Sequence, residues 1–136
     1  CSHCPYSNPI MEKLFLQTSS AIQIVSKTSK KLIMLTGGEP LLHPELKEIL
    51  NSFMSLNYAT PFRLATGGFI DLNPWIHQLK FLYKQKSLQG ISIGTDVISQ
   101  RMSSGKWAQA WDSNIRLLQE HKIPYSLTMT IDPHLE

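Results

Sequence analysis

The spacing of apolar positions switches repeatedly between a helical period and a strand period. Residues 11–28 place Leu14, Thr18, Ile22 and Val25 on one helical face. Residues 32–36, Leu-Ile-Met-Leu-Thr, form a short apolar run ended by Gly37-Gly38. Residues 44–57 open with Pro44, a residue suited to a first helical turn, and then space Leu46, Ile49, Leu50 and Phe53 helically. Residues 62–66 read as a second strand, stopped by Gly67-Gly68. Residues 74–86 begin with Pro74 and carry Ile76, Leu79, Leu82 and Tyr83 on a face. In residues 90–95, Ile91 and Ile93 alternate with small residues, as in a strand. Residues 106–121 align Trp107, Trp111, Ile115 and Leu118, a stripe better read as core packing than as a cofactor platform. Pro124 introduces a last strand from Tyr125 to Ile131.

Helix and strand therefore alternate four times, which implies crossover connections and a mainly parallel sheet covered by helices. An open doubly wound sheet and a partial barrel both satisfy this pattern. In either, the working site is expected at the C-terminal ends of the strands, where Gly37-Gly38, Gly67-Gly68 and Gly94 fall.

Composition narrows the class without naming a function. The 136 residues are 42% hydrophobic and 17% charged, as in an ordinary globular domain. The net charge is +3, and the densest basic run, Lys27 to Lys31, holds three lysines, so no nucleic-acid surface is expected. Apolar runs fall far short of the roughly 20 residues of a membrane helix, and no secretory signal is visible. The expected location is cytoplasmic. The chain starts at Cys1 without an initiator Met and stops at Glu136 just after an apolar stretch, so both ends are expected to be cuts through a longer protein.

Cys1-Ser2-His3-Cys4 is a C-x-x-C pair, a spacing at which thiolates grip one metal centre. Half a zinc site, a redox dithiol and two unconnected thiols all fit it. Zinc would want a second ligand pair, and His43, His77, His121 and His134 are scattered. Cys4-Pro5-Tyr6-Ser7 resembles a glutaredoxin loop, although that fold starts a helix at once and Pro9 delays one here. More discriminating is Thr36-Gly37-Gly38-Glu39-Pro40, between an apolar strand and a helix. Paired glycines let a ligand approach the backbone. Carbonyls beside a carboxylate suit a cationic amine, whereas a phosphate would want exposed amides and a lysine. A plain turn with a solvated glutamate is the competing reading of the loop taken alone.

Together the two motifs resemble the radical S-adenosylmethionine superfamily, which carries C-x-x-x-C-x-Φ-C, with Φ aromatic, after its first strand and G-G-E-P after its second. Cys1 and Cys4 match the second and third cysteines, His3 takes the aromatic place, and Gly37 to Pro40 match G-G-E-P in full. Ala65-Thr66-Gly67-Gly68 is similar to the family's T-N-G turn, with Gly67 in place of Asn. Ile91-Ser92-Ile93 resembles its fourth strand, followed here by Gly94-Thr95 instead of the usual Asp-Gly. Asn114 to Leu118 and the strand from Ser126 to Ile131 resemble the next helix and strand. The first cluster cysteine and its strand are missing from residues 1–136, and the last barrel strand would lie beyond Glu136.

The resemblance implies a single domain, part of a (β/α)6 partial TIM barrel, holding a 4Fe-4S cluster and S-adenosylmethionine. One electron from the cluster would cleave the sulfonium bond, and the resulting 5′-deoxyadenosyl radical would take a hydrogen from a substrate. Cys1 and Cys4 would be iron ligands. Gly37, Gly38 and Glu39 would hold the cofactor's amino group, Ser92 its carboxylate or ribose and Arg101 its carboxylate, and His3 and Thr66 would be further contacts. The downstream pattern is most similar to the branch acting on peptides or proteins, and an electron donor such as flavodoxin or ferredoxin would serve it. Two rivals stay open: a thiol-disulfide oxidoreductase using Cys1 and Cys4, and a degenerate binding module.

Overall fold

The computed structural model describes residues 16–27, 32–55, 61–95 and 105–129, apart from the side chains at 106 and 107. Its strands are β1 (Ile33–Leu35), β2 (Phe62–Thr66), β3 (Leu88–Thr95) and β4 (Tyr125–Met129). Its helices are α1 (Thr18–Lys27), α2 (Leu46–Ser55), α3 (Ile76–Lys84) and α4 (Gly105–Glu120). The four strands form one sheet in the order β1-β2-β3-β4, and every neighbouring pair is parallel. A doubly wound sheet reverses its strand order at a switch point. No reversal occurs among these strands, so successive right-handed crossovers lay their helices on one face.

Burial follows that one-sided cover. Along β2, Phe62, Leu64 and Thr66 are buried and Arg63 and Ala65 are half-buried. On the second face the side chains are small or polar, and at the β1 edge Met34 is 46% exposed. On the covered face Leu46, Ile49, Leu50 and Phe53 of α2 and Ile76, Leu79 and Leu82 of α3 are buried, as their helical spacing predicts. In α1 the buried positions are Ala21 and Val25, with Ile22 half-buried.

Several boundaries differ from the sequence expectation. Pro44 lies in a turn ahead of α2, and Pro74 lies in a 3-10 turn, Asn73–Trp75, ahead of α3. Both prolines precede their helices instead of opening them. The ends of α3 and α4 share one stop. Lys86 and Lys122 adopt left-handed backbone, with φ of 62° and 55°. The next amide then reaches back to the last turn, from Ser87 to the Leu82 carbonyl at 3.0 Å and from Ile123 to the Leu118 carbonyl at 2.9 Å. This helix stop usually carries glycine, and lysine in its place hides it from sequence inspection.

The α1 end of the molecule is tied to the turn before α2. The Thr18 amide and hydroxyl donate to the Glu45 carboxylate at 3.0 and 2.6 Å. The Glu45 amide donates to His43 Nδ1 at 3.1 Å, which leaves Nε2 as the donor to the Leu16 carbonyl at 2.9 Å.

Two expected outcomes follow from these packing constraints. Gly68 has φ +77°, and a Cβ there would meet Ile93 Cγ2 at 2.7 Å and Trp111 Cδ1 at 2.8 Å. Gly68→Ala should therefore destabilise the protein by about 1–3 kcal/mol in chemical denaturation, while Gly38→Ala, whose Cβ would meet nothing within 4 Å, should be nearly neutral. The Thr18 hydroxyl and then its amide hold the Glu45 carboxyl below its ordinary value of 4.5. Because the folded value is the lower one, the stabilisation is present above that ordinary value and is lost as pH falls through the depressed one. Amide exchange at the start of α1 should accelerate over that acidic window in the wild type and show no such step in Glu45→Gln.

Candidate functional site

The C-terminal ends of β1 and β2 come together through a single carboxylate. Glu39 stands in extended backbone, φ −126° and ψ 108°, at the start of the 3-10 turn Pro40–Leu42. Pro40 at the first position of that turn needs no amide partner, so the turn can follow the strand directly. Glu39 Oε1 accepts from the Leu41 amide at 3.1 Å and from the Thr66 hydroxyl at 2.8 Å. Oε2 lies 2.9 Å from the same hydroxyl and accepts from the Gly67 amide at 2.9 Å. Thr66 Oγ1 in turn accepts from the Gly68 amide at 3.1 Å. A half-buried carboxylate thus organises two consecutive strand-end loops, and its two oxygens are engaged by groups of the chain itself.

The glycines before it are arranged differently. Gly37 and Gly38 are exposed, and a Cβ built on either would meet nothing within 4 Å. No packing requirement in the described residues calls for glycine at Gly38, so its surroundings leave the strand-end backbone open to a ligand. That openness suits the amino group expected there.

The second loop is pinned from α4. Asn114, 1% exposed, accepts from the Leu72 amide at 2.9 Å. Its amide nitrogen donates to the Gly68 and Ile70 carbonyls at 2.9 and 2.8 Å. Trp111, one turn earlier, is half-buried and donates its indole N–H to the Gly94 carbonyl at 3.3 Å. Trp111 therefore packs as expected and also fastens the end of β3. The role of Asn114 was not legible beforehand. Its only signal is a polar residue at an inward position of an amphipathic helix, between Trp111 and Leu118.

Ser92 lies near the C-terminal half of β3, paired in register with Ala65 and Ser126. It is 6% exposed, and its hydroxyl is 3.2 Å from Ser126 Oγ. Of the expected site residues, Glu39 and Thr66 are in direct contact, Gly37 and Gly38 lead into Glu39, and Ser92 lies one strand further on. Cys1, His3, Cys4 and Arg101 lie outside the described residues. Among the described residues no three His, Cys, Asp or Glu side chains gather as a metal site, and no helix is long and apolar enough to cross a membrane.

Removing the bridge tests its structural part. Glu39→Ala leaves the buried Thr66 hydroxyl and the Gly67 amide without their acceptor and should cost about 1–3 kcal/mol in chemical denaturation. Glu39→Gln should fall between, because its amide sets a donor against a donor. In a double-mutant cycle, Thr66→Val should cost much less in the Glu39→Ala background than in the wild type. Additive losses would mean that the two residues do not act together.

No protein family's sequence profile matches the chain. Among curated proteins it is similar to GTP 3′,8-cyclase from Microcystis aeruginosa, with 33% identity over 80 residues, which is 57% of this chain and 24% of that protein. It is also similar to GTP 3′,8-cyclase from Rippkaea orientalis, with 28% identity over 107 residues, 73% of this chain and 31% of that protein. The chain thus spans a quarter to a third of the length of these relatives.

Proposed function

We propose that the chain is core structure of a radical S-adenosylmethionine enzyme, binding a 4Fe-4S cluster and S-adenosylmethionine. The observation that carries this reading is the Thr36 to Pro40 loop. It puts two openly accessible glycines at the end of a parallel strand, next to a glutamate locked to the end of the following strand. The similarity to two GTP 3′,8-cyclases supports it at the level of the superfamily.

In this scheme the Gly37 and Gly38 carbonyls would receive the cofactor's amino group, and Glu39 would add negative charge beside it. The charge would act on the amine while the carboxylate's hydrogen bonds to Leu41, Thr66 and Gly67 hold the loop in shape. Ser92 would offer its hydroxyl to the cofactor's carboxylate, with Arg101 as a charged partner, and Thr66 and His3 would add contacts. Cys1 and Cys4 would bind iron by the thiolate chemistry such clusters require. When bound, cluster and cofactor together supply a carbon radical able to take hydrogen from an unactivated position. The chain's own task is to fix the cofactor and keep water from it. The proposed substrate is a peptide or protein, and the proposed electron donor is of the flavodoxin or ferredoxin kind.

The test uses the full-length protein purified and reconstituted without oxygen. It should show the broad brown absorbance of an iron-sulfur cluster and, with dithionite, release 5′-deoxyadenosine from S-adenosylmethionine. Cys4→Ser should lose most of its iron. Glu39→Ala should weaken cofactor binding about tenfold to a hundredfold in calorimetry, the worth of one charge-assisted contact. Stoichiometric tight zinc without iron, or thiol exchange abolished by Cys1→Ser, would overturn the reading.

A further inference from the structure

Among the described residues, the strands carry one cation, on the sheet face opposite the helices. Arg63, on β2, is half-buried and pairs in register with Gly90 on β3. The guanidinium crosses β3 and reaches β4. There Nη1 donates to Ser126 Oγ at 3.2 Å, and Ser126 Oγ lies 3.2 Å from Ser92 Oγ. Among the described residues, Arg63 Nε is buried without a hydrogen-bond partner. Among the described residues no Asp or Glu forms an ion pair with Arg63; Arg116, by contrast, pairs with Asp112 on the exposed side of α4.

The cluster is rich in donors and short of acceptors. A guanidinium has five N–H groups and no acceptor, and among the described residues one of them is used, on Ser126. The two serine hydroxyls share one contact, which consumes one hydroxyl proton and leaves the other free to donate. Arg63 must be the donor to Ser126, so Ser126 can pass its own proton toward Ser92 and aim the Ser92 proton away from the pair. A half-buried cation with unfilled donors is costly unless an anion completes it. Arginine is also the side chain whose planar fork matches the two oxygens of a carboxylate or phosphate.

The position separates this cluster from the strand-end loops. Arg63 precedes Thr66 by three residues along β2, about 10 Å at the rise of an extended strand. The Gly37-Gly38 loop is at the end of β1, whereas Arg63, Ser92 and Ser126 span β2 to β4. We propose that Arg63 and Ser126, with Ser126 oriented by its contact to Ser92, form an oxyanion subsite on the sheet face opposite the helices, which holds the carboxylate or phosphate of the substrate. The assignment of that anion to a substrate rests on the radical reading of the strand-end loops; the subsite itself does not.

The experiment measures thermal stabilisation of the reconstituted full-length protein by sodium acetate and by inorganic phosphate, against sodium chloride at equal ionic strength. The wild type should show a saturable rise in melting temperature with one or both oxyanions, also in the presence of saturating S-adenosylmethionine. A response to acetate alone identifies a carboxylate substrate, and a response favouring phosphate identifies a phosphorylated one. Arg63→Met should raise the apparent dissociation constant at least about tenfold while cofactor affinity stays as in the wild type. Arg63→Lys, which keeps the charge and loses the fork, should fall between and guards against misfolding of the first variant. Equal stabilisation by chloride, or an undiminished oxyanion response in Arg63→Met, would overturn the subsite. Competition between the oxyanions and the cofactor, with cofactor affinity lost in Arg63→Met, would overturn the substrate assignment. A wild type that binds oxyanions through Arg63 but takes up no cofactor would sink the radical reading and leave the subsite standing.

Discussion

The hydrogen-bonded carboxylate of Glu39 is the interaction on which the organisation of this site depends. It lies half-buried at the ends of two parallel strands, where amides and a hydroxyl would otherwise lack partners. An acceptor with a full charge satisfies all of them at once, and such bonds are stronger than neutral ones. The consequence reaches beyond the loop. With Glu39 held by Thr66 and Gly67, the position of the Gly37-Gly38 backbone is set by β2 as well as by β1. A ligand that binds those carbonyls would then meet a surface already in place, which lowers the ordering cost of binding.

A second layer of the same design comes from α4. Asn114 satisfies three backbone groups of the segment after β2, each with a bond of 2.8 or 2.9 Å. Trp111 adds the Gly94 carbonyl and closes over Gly68. The strand-end loops therefore rest on a helix that enters the sheet two strands later. That ordering explains why Gly68 has no room for a methyl group while Gly38 has ample room. One glycine is there for packing, and the other leaves its backbone accessible.

The sheet divides its two faces chemically. Apolar side chains from the helices and from Phe62, Leu64, Ile91 and Ile93 fill one side. The other side bears Arg63, Ser92 and Ser126 in hydrogen-bonded sequence. In a one-directional winding, every crossover helix falls on the same side. The exposed Met34 at the β1 edge and its register partner Arg63 belong to the side opposite those helices.

By itself the sequence determined the alternation of helix and strand, the inward residues of α2 and α3, and the strand-end position of the glycines. It did so because these depend on local spacing: a helix repeats every 3.6 residues, a strand every 2, and glycine stops both. The Lys86 and Lys122 helix stops escaped it, because lysine in left-handed backbone is a local cost accepted for a tertiary fit. Tertiary structure alone decided the strand order, and with it the choice of a one-sided winding over a doubly wound one. It also decided the partners: Glu39 with Thr66 across 27 residues, Asn114 with Leu72 across 42, and Arg63 with Ser126 across 63. Periodicity says which side of an element is buried. It carries no information about which distant polar group waits there, because that depends on strand register, and register is a property of the assembled sheet.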